Sequence, residues 1–144
     1  MTGKIWVVAA DSSRARLFET SNSRKPLVEF ETLTHPESRL HEGDLSEDGP
    51  GMVYESHGEG RHLTENHRKK HEIEIFAREV SQKLQQGRTS SRFDKLYLVA
   101  PPAFLGQLRD TLDAATRKLI QAEVGKNLVL SSPDDIRDHL PYAL

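Results

Sequence analysis

The sequence predicts an α/β domain built on one mixed sheet of about five strands, with helices packed against it. Three observations carry that prediction. Near the start, Ile5-Trp6-Val7-Val8-Ala9-Ala10 is an almost unbroken apolar run, as expected of a central strand buried on both faces. Two alternating stretches follow it across short polar turns, which is the signature of an antiparallel meander. Helix-like and strand-like segments then alternate to the end of the chain, the pattern of crossover connections between parallel strands.

Each element has its own local signal. After the first strand, Asp11-Ser12-Ser13 supplies turn chemistry, because short polar side chains bond back to nearby backbone. Arg14 to Thr20 alternates, with Ala15 and Leu17 on one face and Arg14, Arg16 and Phe18 on the other. Ser21 to Pro26 reads as a second turn, and Leu27 to Thr34 as a third strand with Val28, Phe30 and Thr32 on one face. Residues 35–66 then show no period and hold five of the nine glycines. A stretch this long without structure is uncommon inside a domain, and we read it as a mobile functional loop.

The helical period begins at His67 and lasts to Gln86, with Ile73, Phe76, Ala77, Val80 and Leu84 as one stripe and Gly87 as its stop. Lys95 to Ala100 reads as a fourth strand, broken by Pro101-Pro102. Phe104, Leu105, Leu108 and Leu112 mark a short helix, Asp113 caps a further helical turn, and Leu119 to Leu130 contains a fifth strand. Ser132-Pro133-Asp134-Asp135 starts the last helix with a serine cap, a proline at the first position and acids in the first turn. The resulting order, β-β-β-α-β-α-β-α, matches a ribonuclease H-like fold, with residues 1–144 as a single domain.

Composition narrows the function classes. A chain of 144 residues can build one core. The net charge of -2 exerts no global pull toward nucleic acid or membrane. Its distribution is uneven: residues 35–66 carry eight acids and two bases, so an acidic segment interrupts a mildly basic body. There is no cysteine, which excludes disulfides, zinc–thiolate sites and thiol nucleophiles. The apolar run at Ile5 to Ala10 is too short for a signal-peptide core or a membrane span. A cytoplasmic protein without membrane contact is expected, and no residue pattern calls for a cofactor.

The chemistry is concentrated in SHGEGRHLTENHRKKH, residues 56–71, which holds four of the seven histidines. His67 and His71 share a helix face, with His57 and His62 within reach along the chain. The glutamate of the H-E-x-x-H zinc motif is absent, however, so no metal site is assigned. Arg68, Lys69 and Lys70 would fall in the first helical turn, where positive charge opposes the helix dipole. A phosphate at that end would relieve the conflict, and Gly58 and Gly60 would let the backbone approach it. A two-metal nuclease would need Asp11 joined by Glu72 or Asp94, yet the DSS turn explains Asp11 without catalysis. Arg14 and Arg16, two apart on one strand face, would extend a basic surface. Tyr54 offers a stacking ring, whereas the spacing of Phe104 assigns it to the core.

Three stretches carry a family resemblance: VVAADSSRARLFE, GRHLTENHRKKHEIEIFAREVSQKL, and LYLVAPPAFLGQLRDTL followed by AEVGKNL. Together they resemble the bacterial host attachment protein family, described as required for attachment to host cells. That family is similar in turn to the catalytic middle domain of archaeal and eukaryotic peptide-chain release factors. The resemblance implies a ribonuclease H-like order and a Gly-Gly-Gln loop before the long helix, used to hydrolyse peptidyl-tRNA. Here the corresponding place reads Gly58-Glu59-Gly60-Arg61-His62, with Glu59 where a second glycine would stand and Gln82 as the nearest following glutamine.

The resemblance therefore implies contact with tRNA or the ribosome through Gly58, Gly60, Arg61, Arg68, Lys69 and Lys70. Arg61 and His62 are the candidates at any reacting centre, and any activity would at most be peptidyl-tRNA hydrolase-like. The alternative is a non-enzymatic protein-interaction module affecting attachment, with a partner held by the acidic loop.

Overall fold

The computed structural model describes residues 4–21, 25–36, 58–141 and 144, with the backbone alone for 58–67. A five-stranded mixed sheet carries the molecule. Its strands are β1 (Ile5–Ala10), β2 (Arg14–Thr20), β3 (Val28–Thr34), β4 (Lys95–Val99) and β5 (Ile120–Val124), in the spatial order β3-β2-β1-β4-β5. β1 pairs antiparallel with β2, and β2 with β3, as the meander requires. β4 lies parallel to β1, and β5 parallel to β4. Parallel neighbours need crossovers. These are α1 (Gly58–Thr89) before β4, and α2 (Pro102–Thr111) with the single turn α3 (Ala114–Arg117) before β5. α4 (Pro133–Asp138) follows the last strand.

β1 is buried along its whole length because both faces of the sheet are covered. On one face Trp6, Val8 and Ala10 meet Phe76, Ala77, Val80 and Leu84 of α1 and Phe104, Leu105 and Leu108 of α2. On the other, Ile5, Val7 and Ala9 meet Ile136 of α4, together with Leu140, Phe18 and Tyr97. The caps form as their residue types dictate. Asp113 Oδ1 accepts from Thr116 N at 2.9 Å, and Ser132 Oγ from Asp135 N at 3.1 Å. The Thr116 hydrogen bonds hold the Asp113 carboxyl below its usual range, with Arg88 adding to the effect.

Four expectations need correction. The chain between β3 and α1 was expected to be loop through residue 66, but α1 begins at Gly58. The remainder of that expected loop, 37–57, lies outside the described residues, as does the centre of the second turn at 22–24. β3 does not keep one alternation. Its pairing with β2 shifts between Leu17 and Phe18, so Glu31 faces Leu17 while Glu29 faces Phe18. The bulge this creates at Phe30 puts Phe30 on the same side as Leu33, and Val28 is left 58% exposed.

Gly87 does not end α1, which runs on to Thr89. Its stop is instead a left-handed Ser91 at φ 59°, with Arg92 N donating to Gly87 O at 2.8 Å and Ser91 N to Arg88 O at 2.9 Å. Those two bonds make a Schellman closure with serine where glycine is favoured. Ser91→Gly should therefore raise the unfolding free energy by about 1 kcal/mol, since the left-handed conformation costs a non-glycine residue about that much. Chemical denaturation at constant slope measures it, and a loss would show that the serine side chain stabilises this turn.

The fourth correction concerns Arg16, expected to face solvent. Its guanidinium donates to Val129 O and Ser131 O, both at 2.7 Å, and pairs with Glu29 Oε1 at 3.0 Å. It is the tie that fastens the segment before α4 to the sheet. The Arg16 hydrogen bond is the main cause holding the Glu29 carboxyl below its usual range.

Candidate nucleic-acid interface

α1 runs antiparallel to β1, so its amino-terminal part continues past the carboxyl end of that strand. The stripe Phe76, Ala77, Val80 and Leu84 is buried on the sheet, while Ile73 is partly buried at its edge. Before Glu72 there are fourteen further helical residues, about 20 Å of helix at 1.5 Å per residue. This part reads GEGRHLTENHRKKH, with Leu63 as its one aliphatic side chain. Its sequence carries no apolar period.

This placement changes the electrostatics expected of the site. Gly58, Gly60 and Arg61 lie in the first turn of α1 and His62 opens the second. Arg68, Lys69 and Lys70 lie about three turns in, not at the helix start as the sequence reading had them. The helix dipole acts within the first turn, so the conflict thought to draw a phosphate to those three residues does not arise. The free backbone N–H groups belong instead to Gly58–Arg61, with Glu59 among them. What the structure brings together is a run of cations along one helix. Arg68, Lys70 and His71 are exposed, and Lys69 is partly buried. Lys69 stands four residues before Ile73 and seven before Phe76, so it prolongs the buried stripe with a charged head. Neither Arg68 nor Lys69 lacks a partner.

His35, which sequence reasoning missed, sits where this part of α1 meets the packed part. His35 is buried, and its backbone N–H donates to Ser13 O at 2.8 Å, continuing the β2–β3 ladder. Its Nε2 lies 2.6 Å from Glu72 Oε1, its Nδ1 3.9 Å from Glu79 Oε1, and its ring stacks on Phe76 at 5.8 Å. The signal was present: after the bulge Leu33 points inward, and a period of two puts His35 on the same side.

The other candidates separate. Asp11 Oδ1 accepts from Ser13 N and Arg14 N, both at 2.9 Å, as the turn required. Asp94 accepts from Lys4 N at the opposite end of β1, and Glu72 is held by His35. The carboxylates a two-metal nuclease would need do not converge, and no group of three metal-ligating side chains occurs among the described residues. His71 is exposed. His57 and Tyr54 lie outside the described residues, as do the side chains of Arg61, His62 and His67. Phe104 is core, stacked on Phe76 at 5.9 Å. Among the described residues no helix is long and apolar enough to cross a membrane.

The arrangement has solved parallels. The crystal structure of the archaeal translation termination factor aRF1 matches with a TM-score of 0.52 at 10% identity, over 96% of this chain and 35% of that one. The chain thus spans about a third of that factor's length, and the likeness is one of fold. No curated protein matches the sequence. A family model described as "Protein required for attachment to host cells" covers residues 6–140, from within β1 to beyond α4; with nearly the whole fold inside that match, the chain belongs to this family.

Proposed function

We propose that this protein binds structured RNA, either tRNA or the ribosome, through Gly58–Lys70 of α1, as a cytoplasmic binding protein without a hydrolytic step. One observation carries the reading: the part of α1 before Glu72 has no apolar period in its sequence and bears Arg61, Arg68, Lys69 and Lys70. A helix with no apolar face makes no use of the sheet, and a row of cations along it suits a phosphate backbone. The fold likeness to a translation termination factor supports the same partner class. In this reading Arg61 and His62 stand nearest the RNA. No glutamine follows Gly60 in the helix start, which favours binding over cleavage.

The test is binding of the purified protein to tRNA and to ribosomes, beside a variant with Arg61, Arg68, Lys69 and Lys70 all replaced by alanine. Saturable binding, at least tenfold weaker in the variant, is expected. Absent binding, or equal binding by a variant of unchanged circular dichroism, would contradict the proposal.

The family description favours a second reading, a protein-interaction module that affects attachment to host cells. Its partner surface would be the acidic segment 35–66. Cell fractionation separates the two: a mainly surface-exposed pool supports the second and opposes the first.

A further inference from the structure

Two arginines two residues apart on β2 have opposite fates. Arg16 spends its guanidinium on Glu29, Val129 O and Ser131 O. Arg14 is partly buried, yet among the described residues its guanidinium has neither a hydrogen bond nor an ion pair. It lines a notch of about 210 Å³ with Ser13, Thr34 and Pro36. Thr34 is the register partner of Arg14 across the β2–β3 ladder, so the exposed Thr34 hydroxyl and the Arg14 side chain leave the same face of the ladder as cross-strand neighbours. That hydroxyl is also without a partner among the described residues.

From this geometry we infer that the notch is a binding site for one phosphate group. The guanidinium fork matches the oxygens of an anion such as phosphate, and the Thr34 hydroxyl adds a donor at its side. Size sets the scale of the ligand. The notch is smaller than the roughly 300 Å³ at which pockets for whole small molecules begin, so it suits a group and not a nucleoside. Asp11 is the one carboxylate in the adjoining turn. Its Oδ1 is already engaged by two backbone N–H groups and lies 3.4 Å from Ser13 Oγ, which tempers its repulsion of an anion.

Position supplies the source of the phosphate. Arg14 opens β2 at the carboxyl end of β1, the end past which the cationic part of α1 extends. Arg14 lies on the sheet face turned away from α1, since Ala15 and Leu17 pack on the α1 side, so a polynucleotide along α1 would have to pass around this end of the sheet for a backbone phosphate to reach the notch. The preference for phosphate over carboxylate rests on the RNA reading above; the notch itself does not.

The experiment is a backbone-amide NMR titration of the full chain, first with inorganic phosphate and then with a short RNA oligonucleotide lacking terminal phosphates. Saturable shifts at Ser13, Arg14, Thr34 and His35 are expected with phosphate. They should persist in the α1 quadruple variant and vanish in Arg14→Gln, whose unfolding midpoint should match the parent's. No saturable shift, or equal shifts in Arg14→Gln, would overturn the site. With RNA, the same amides should move and Arg14→Gln should weaken binding severalfold. Movement with phosphate but not with RNA would reject the polynucleotide source. Loss of RNA binding in the quadruple variant alone would bear on α1 and leave the notch standing.

Discussion

Replacing Phe76 with alanine should lower the unfolding free energy by about 3–5 kcal/mol, the range for emptying a large aromatic site in a core. Phe76 is wholly buried and joins α1 to α2 and to the segment after β3. Its ring stacks on Phe104 of α2 at 5.9 Å and on His35 beyond β3 at 5.8 Å. It also marks the point on α1 where the buried stripe gives way to the overhang. Denaturant unfolding of the parent and variant at equal slope measures the loss. A cost below about 1 kcal/mol would mean that the surrounding side chains collapse into the vacated space. It would also mean that α1 is not seated on the sheet as described.

Gly87→Ala should also destabilise, by about 2 kcal/mol, although helix propensity alone would favour it by about 1 kcal/mol. A Cβ at this position would stand 2.5 Å from Trp6 Cη2, 2.6 Å from its Cζ3 and 3.1 Å from Phe93 Cε1. The Trp6 ring cannot retreat. It lies between Phe30 at 4.8 Å and Phe93 at 4.7 Å, with the Arg92 guanidinium 5.0 Å above it. In a Trp6→Phe background the clashing ring atoms are gone, so the same substitution should cost about 1 kcal/mol less in a double-mutant cycle. Equal costs in both backgrounds would place the effect outside this contact.

These two residues also show what the sequence could and could not disclose. Phe76 was legible because burial on one sheet face imposes a helical period, and the stripe through Val80 and Leu84 follows from it. Gly87 was misread. A glycine near the end of a helical pattern signals a stop, but the same missing Cβ serves a close crossing of helix and ring, and nothing local separates the two uses. The true stop at Ser91 had no composition signal at all. β1 was legible from its unbroken apolar run, and the Asp11, Asp113 and Ser132 turns and caps from residue chemistry alone.

The candidate site was less legible for a physical reason. Helical period is written by packing, and the part of α1 from Gly58 to Asn66 carries none and read as loop. Its cations Arg68, Lys69 and Lys70 were placed in the first turn of the helix but lie about three turns in. The bulge at Phe30 and the His35–Glu72 contact depend on pairing across the chain, which a single sequence shows only as a faint alternation.

The salt dependence of tRNA binding tests the central claim most directly. If Arg61, Arg68, Lys69 and Lys70 neutralise phosphates, log K should fall steeply with log salt. Replacing the four with alanine should then reduce that slope by about 3 units, near 0.7–0.9 for each lost contact. An unchanged slope in the variant, or binding by the parent that does not respond to salt, would contradict the assignment of α1 as the RNA-facing element.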